Sequence, residues 1–298
     1  MRKIIIGTRG SQLALRQTEM VAKMIAEKLS HEISDVQIEI IKTKGDKFLD
    51  LSLTSQPDKG LFTKEIEERL LAGEIDLAVH SLKDLPVQCT EGTVIGAYLP
   101  RAATADVVIG RKKLADLPYG AVVGTSSKRR TYQLQLHYPH LCFREIRGNV
   151  ETRIRKVEEG LYDAIIMARA GIDRLGLTDG VIETLSEDIV VPAPGQAAIA
   201  VHVRDTDTTL KDLLLQIDHT PTRFEVEYER MLLGALGGGC AQPLGCVCHR
   251  GMYEHELRAF FSTEDATKHI YVHKTFTDDT AATTMAEIIS ELKTLTAE

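Results

Sequence analysis

Apolar residues fall into short runs that alternate with longer stretches of helical period. Lys3 to Ile6 ends in three isoleucines before Gly7, and Ser11 to Leu29 carries Leu15, Met24, Ile25 and Leu29 at close to helical spacing. A strand, a turn and a helix are predicted in succession. Val36, Ile38 and Ile40 alternate with polar residues as a second strand. The polar segment from Lys42 to Lys59, broken by Gly45 and Pro57, predicts a mobile loop. Glu65 to Leu71 predicts a helix, and Ile75 to Val79 an apolar strand that runs into HSLKDLP.

Beyond Pro100 the same grammar returns: Ala121 to Val123 as a strand, Gly124 as a turn, and SSKRRTYQLQL as a helix start. IIIGTRGSQLAL and AVVGTSSKRRTYQL match in order and chemistry, as do EIDLAVHS and LYDAIIMA, which points to two related α/β lobes. VVPAPGQ, from Val190 to Gln196, reads as a Pro-punctuated crossing, after which Ala197 to Val203 resumes a strand. If that strand rejoins the first lobe, two crossings join the lobes and permit hinge closure. Helices follow from about Asp207 to Ile217 and from Arg223 to Leu236. GGGCAQPLGCVC then opens a third domain, with strand-like runs Glu256 to Phe261 and Ile270 to Phe276 and a helix from Thr280 to Leu295. The expected boundaries are residues 1–98 with 197–217 for the first lobe, 102–191 for the second, and 220–298 for a C-terminal α+β domain.

Composition narrows the function. The chain has 298 residues, 43% hydrophobic and 27% charged, with 22 Gly and 9 Pro, which is the composition of a folded protein. A net charge of −7 argues against a general nucleic-acid or anionic-membrane binder. The opening MRKIIIGTRG lacks the long apolar core of a secretory signal, and Gly and Pro interrupt the uncharged stretch from Met231 to Cys248, so no membrane span and a cytoplasmic location are expected. Five Cys is an odd count, which favours reduced thiols over a disulfide framework.

The common phosphate, dinucleotide, HExxH and GxSxG signatures do not occur. Cations are instead concentrated: Lys128, Arg129, Arg130, Arg144, Arg147, Arg153, Arg155 and Lys156 share one window with only Glu145 and Glu151 as acids. Guanidinium forks match carboxylates, and Ser126 and Ser127 at a helix start add donors, as Arg9 and Ser11 do in the first lobe. The plainer reading of such a run is a solvated basic helix face. Asp84 follows a buried strand, where α/β ligands usually sit, although for this residue taken alone turn-forming or capping duty is the favoured reading. Cys240 follows three Gly, which leaves room for something bulky to approach its thiol. Cys246, Cys248, His249 and His255 could join it around a metal, but the spacing lacks paired C-x2-C knuckles, and no metal is expected. Cys89 and Cys142 read as apolar fillers.

Together these segments resemble the porphobilinogen deaminase family, also called hydroxymethylbilane synthases. IGTRGSQLAL, KGLFTKEIE, HSLKDLP, GTSSKRR, RGNVETR, YDAII with AGIDRLG, and the GGGC segment stand in that family's order and approximate spacing over most of the chain. The resemblance implies two periplasmic-binding-protein-like α/β lobes with a hinge, plus a smaller C-terminal α+β domain. It implies a transferase of heme biosynthesis in which Cys240 carries a dipyrromethane cofactor through a thioether, without metal or nucleotide. Four porphobilinogen molecules are then joined head to tail, each losing ammonia, before water releases the linear hydroxymethylbilane.

By the same resemblance, Asp84 stabilises cationic, azafulvene-like species and assists proton movement. Cys240, Lys83, Asp84, Ser127, Arg129, Arg130, Arg147 and Gly148 hold the cofactor. Arg9, Ser11, Phe62, Arg147, Arg153 and Arg174 receive substrate, Phe62 by stacking unless it belongs to the core. The Lys42 to Lys59 loop, with Asp46 and Asp50, forms a lid, and the expected state is a cytoplasmic monomer with no nucleic-acid or membrane partner. The chain departs from the family in PDKGLF for GGKGLF, PAPGQAA for PAVGQGA, Lys128 for Leu, and Arg169 for a small apolar residue. A non-catalytic two-lobed anion-binding protein and a thiol-metal protein are the competing readings.

Overall fold

The computed structural model describes residues 2–31, 33–43, 63–238 and 242–295. The chain divides into two compact units, Met1–Ala102 with Ala197–Arg223, and Ala103–Gln196 with Phe224–Glu298. The first begins β1 (Arg2–Thr8), α1 (Gln12–Lys28), β2 (Ile33–Ile40), α2 (Lys64–Ala72), β3 (Leu77–Ser81) and β4 (Thr93–Tyr98). The second continues with β5 (Asp106–Gly110), β6 (Val122–Gly124), α3 (Lys128–His137), β7 (Cys142–Arg144), α4 (Val150–Glu158), β8 (Ala164–Ala168), α5 (Arg169–Leu175) and β9 (Val181–Thr184). β10 (Ile199–Arg204) and α6 (Thr208–Leu214) return to the first unit, and α7 (Thr220–Ala235) leads to β11 (Leu244–His249), β12 (His255–Ser262), β13 (His269–Phe276) and α8 (Ala281–Lys293).

Each unit holds a five-stranded sheet with the same logic. The first is ordered β2-β1-β3-β10-β4, with β1 parallel to β2 and β3, and β10 antiparallel to β3 and β4. The second is ordered β7-β6-β8-β5-β9, with β6 parallel to β7 and β8, and β5 antiparallel to β8 and β9. In both, the antiparallel strand is the first one laid down after the chain crosses from the other unit. The paired motifs of the sequence thus occupy matching places, β1 with β6 and β3 with β8.

Apolar runs make these strands because both faces of each sheet are covered. Ile4, Ile6, Leu77, Val79, Ile199 and Val201 pack with Val21 and Ile25 of α1 and Leu210 and Leu214 of α6, while Ile75 and Ala78 meet Ile66 and Leu70 of α2 on the other side. Each of these valine, leucine and isoleucine side chains, when fully buried, contributes roughly 1.5–3 kcal/mol. β3 starts two residues later than the apolar run predicts. Asp76 explains the offset: its carboxylate accepts the Ile5 N–H at 2.9 Å and its own N–H donates to Ile5 O at 2.8 Å, so regular pairing begins at Leu77.

The C-terminal part of the second unit is an antiparallel meander, β11-β12-β13. Cys246 and Cys248 point to the same face, buried with Leu232 of α7 and Met285, Ile288 and Leu292 of α8. Val247 and Phe260 face the other way and pack with Val191 and Tyr132. The chain approaches β11 so closely there that a Cβ on Gly245 would lie 2.7 Å from Val191 O, which only glycine avoids. The expected class, two α/β lobes and an α+β C-terminal portion, is the one observed. Among the described residues no helix is long and apolar enough to cross a membrane.

Candidate active site

In the first unit the candidate residues Arg9, Ser11, Lys83 and Asp84 follow the carboxyl ends of the parallel strands β1 and β3, the usual ligand position in α/β sheets. Arg9 and Ser11 follow β1; Ser11 Oγ caps α1 by accepting the Ala14 N–H at 3.3 Å. Residues Leu82–Asp84 follow β3 as a single 3-10 turn closed by Leu85 N–H to Leu82 O at 3.0 Å. Two contacts fix the turn: Leu82 N–H donates to Ala198 O at 3.0 Å, and Ser81 Oγ exchanges hydrogen bonds with the Gln17 amide at 2.8 and 3.0 Å. Asp84 emerges exposed beside a half-buried Lys83.

In the second unit the turn after β6 carries Ser126 and Ser127. Ser126 Oγ donates to Ile146 O at 2.5 Å and accepts the Ile146 N–H at 3.2 Å, which ties this turn to the loop after β7. Ser127 occupies the α3 N-cap position without a side-chain capping bond. Arg129 and Arg130 turn inward rather than onto a solvated face, with exposures of 3% and 7%. Arg129 donates through Nη2 to Asp106 Oδ2 at 2.8 Å and through Nη1 to Val191 O at 2.6 Å. Arg130 donates through Nη2 to Asp106 Oδ1 at 2.7 Å and through Nη1 to Ile166 O at 3.1 Å. Gln196 Nε2 also donates to Asp106 Oδ1, at 2.9 Å.

Two guanidiniums and one carboxylate leave one net positive charge in a place nearly closed to water. Burial alone would raise the Asp106 pKa; the Arg129 and Arg130 charges and hydrogen bonds outweigh it and hold the carboxyl well below the usual carboxylate range. Arg130 Nε is buried and has no hydrogen-bond partner among the described residues. Buried donors of that kind are rare in folded proteins.

More positive charge stands nearby. Arg153 is pulled down to about 10, first by burial and then by the charges of Arg130 and Arg147, yet it stays protonated at neutral pH. Arg153 Nε donates to Gly148 O at 2.8 Å, and Lys156 Nζ to Arg147 O at 3.1 Å. Gly148 has φ +111°, and a Cβ there would fall 2.7 Å from Thr152 Cγ2, so the turn that presents Arg147 requires glycine. Arg147 itself leans on Glu145, at 2.9 Å from Nε and 2.5 Å from Nη2. Arg174 is pulled to about 10 by burial, with Asp173 opposing, rather than by the other arginines. Arg169 pairs with that same Asp173 at 2.7 Å.

The structure therefore gathers Arg129, Arg130, Arg147 and Arg153 in one unit and Arg9, Ser11, Lys83 and Asp84 in the other. Phe62, Asp46, Asp50 and Cys240 lie outside the described residues. Asp106 and Gln196 were not anticipated from the sequence; the available signal was a lone acid heading the apolar run DVVIG in a chain that concentrates its arginines. Lys128 pairs with Glu264, and Tyr132 Oη donates to Glu264 O at 2.7 Å, so this part of α3 is held by the β12–β13 turn.

The two histidines among the possible metal ligands have other partners. His249 Nε2 meets Glu187 Oε2 at 2.8 Å, and the buried His255 meets Asp278 at 3.1 Å while packing against Phe224 and Phe276. Among the described residues there is no group of three or more metal-ligating side chains. Cys142 is exposed rather than an apolar filler, because β7 is the edge strand of its sheet.

The family model described as porphobilinogen deaminase, dipyromethane cofactor binding domain, matches residues 4–212, and the one described as porphobilinogen deaminase, C-terminal domain, matches residues 223–293. The chain belongs to the porphobilinogen deaminase family. The porphobilinogen deaminase of Gloeobacter violaceus is 48% identical over 252 residues, covering 82% of this chain and 76% of that protein. Those of Desulforudis audaxviator and Dictyostelium discoideum are 47% and 44% identical, covering 83% and 82% of this chain and 80% and 78% of theirs. Among solved structures, the chain is similar to a TRAP periplasmic solute binding protein from Desulfovibrio salexigens, with a TM-score of 0.45 and 11% identity, over 77% of this chain and 76% of that one. It is also similar to a periplasmic substrate-binding protein from Coxiella burnetii, with a TM-score of 0.44 and 15% identity, over 76% and 96%. Within the porphobilinogen deaminase family models, the two arginine-bearing turns and Asp84 fall in the first and Cys240 in the second.

Proposed function

We propose that this chain is a porphobilinogen deaminase, a transferase of tetrapyrrole biosynthesis that condenses four porphobilinogen molecules head to tail and releases ammonia and then hydroxymethylbilane. The observation that carries the reading is the buried Arg129–Arg130–Asp106 cluster, whose surplus positive charge and unpartnered Arg130 Nε fit a ligand bearing carboxylates. A dipyrromethane bears such groups on both rings, so the residues present suit it. Cys240 would hold it through a thioether, with Lys83, Asp84, Ser127, Arg129, Arg130, Arg147 and Gly148 around it. When bound, this group supplies the pyrrole carbon to which the first substrate is joined.

The chain's own residues do the rest. Arg9, Ser11, Arg147, Arg153 and Arg174 bind the acetate and propionate of porphobilinogen, with Phe62 stacking on its ring. Asp84 faces the pyrrole N–H, offsets the positive charge that develops as ammonia leaves, and takes up the ring proton afterwards; groups of this kind are worth about 100-fold or more in rate. Each added ring brings two more carboxylates, which accounts for arginines in excess of their acidic partners. The enzyme acts as a cytoplasmic monomer, without nucleic-acid or membrane partners. A purified sample given porphobilinogen is expected to release four ammonia per linear tetrapyrrole; binding without ammonia release would favour the non-catalytic anion-binding alternative.

A further inference from the structure

The acid that Arg129 and Arg130 share lies outside the segments that carry the family resemblance. Asp106 is the first residue of β5 and is stitched into the sheet on both sides: it pairs with Ala168 of β8, and its carbonyl accepts the Leu185 N–H at 2.9 Å. Its side chain is fully buried, so it acts only through what it touches.

Two guanidiniums on successive residues of α3 repel one another, and more strongly in a dry site than in water. Asp106 converts that repulsion into a fixed arrangement by giving each arginine its own oxygen, at 2.8 and 2.7 Å. Gln196, also fully buried, orients the carboxylate: its Nε2 donates to Oδ1 at 2.9 Å and to Thr104 O at 2.6 Å. The outer nitrogens of the pair are further tied to Val191 O and Ile166 O at 2.6 and 3.1 Å. Among the described residues, Arg130 Nε is a buried donor with no partner in this network.

We infer that Asp106 is a positioning residue for cofactor capture: it locks Arg129 and Arg130 into one preset cationic group, charged for a single ring carboxylate of the dipyrromethane, and Gln196 holds Asp106 in place. The inference rests on the proposed reading of the site. It assigns a role by charge count as well as by geometry. Without Asp106 the arginines would carry twice the net charge and would be driven apart, so both the number of anions matched and the donor positions would change.

The test follows full-length protein, purified from cells that make no porphobilinogen, by intact mass after porphobilinogen is added. Melting temperature and steady-state kinetics of the loaded fraction are recorded beside it. Asp106→Asn is expected to acquire the covalent adduct at least tenfold more slowly than wild type, in line with the loss of charge-assisted hydrogen bonds. Its loaded fraction is expected to show a lower kcat with KM for porphobilinogen within twofold, because the substrate's own arginines are untouched. A merely structural residue would lower the melting temperature and leave loading of the folded fraction unchanged; that result overturns the inference. If Asp106→Asn does not fold, Gln196→Leu decides, since it creates no unpaired buried charge: loading about threefold slower supports the inference, and wild-type loading overturns it. A wild-type chain that gains no adduct overturns the underlying reading of the site, an outcome distinct from loading that ignores Asp106.

Discussion

His80 and His202 meet edge to face inside the first unit, their ring centroids 5.9 Å apart and their planes at 75°. They stand on adjacent antiparallel strands, His80 opposite Ala200 and His202 opposite Ala78, so both rings occupy one face of the sheet. Burial, then His202, then Arg9 lower the His80 pKa from 6.5 to about 3. The folded chain keeps His80 neutral where the unfolded chain protonates it. Stability is therefore lost as pH falls from about 6.5 toward 3, by up to about 1.4 kcal/mol per pH unit for this group. In urea titrations at pH 7 and pH 4.5, wild type is expected to lose more stability than His80→Gln; equal losses would contradict the assignment.

On the proposed reading, Arg153 is a binding group held at some cost in stability. Burial first, and then the charges of Arg130 and Arg147, lower its pKa to about 10. Arg153→Leu removes that repulsion along with one hydrogen bond to Gly148 O. The expected result is a melting temperature equal to or above wild type together with a KM for porphobilinogen raised at least tenfold. An unchanged KM would remove Arg153 from the substrate site.

Ala197 has φ +72°, a left-handed conformation that alanine adopts at roughly 1–2 kcal/mol. It is the first residue after the chain leaves the second unit. It also stands in PAPGQAA where the family pattern has glycine. Ala197→Gly relieves the strain but gives the unfolded chain more freedom, for a net gain of about 0.5–1 kcal/mol. Chemical denaturation is expected to show a higher midpoint for the variant, and a lower one would refute the strain.

If Asp84 has the proposed catalytic role, substituting it separates chemistry from binding. Asp84→Asn keeps the shape of the Leu82–Asp84 turn and leaves the arginines untouched. Covalent loading is expected to survive while turnover falls by about 100-fold or more. Near-normal turnover would take away the role given to this carboxylate.

Much of this was legible in the chain, for reasons that differ by residue. The turns after β1, β3 and β6 were readable because an apolar run, a small polar turn and a helical repeat follow one another within a few positions. The start of β3 was misplaced because Asp76 spends its side chain on the neighbouring strand, a contact between residues 71 positions apart. β11 was hidden because Gly and Pro precede it and its alternating cysteines resemble ligands more than core. Arg129 and Arg130 were found, but their inward aim was not. It depends on Asp106, 23 and 24 positions away in sequence, and on nothing local.

The most direct test of the whole account is the intact mass of the chain and of Cys240→Ala after exposure to porphobilinogen. Wild type is expected to carry a stable addition of two pyrrole rings, with transient species bearing further single rings, and Cys240→Ala is expected to carry none. An unmodified wild-type chain, or the same addition on Cys240→Ala, would contradict it.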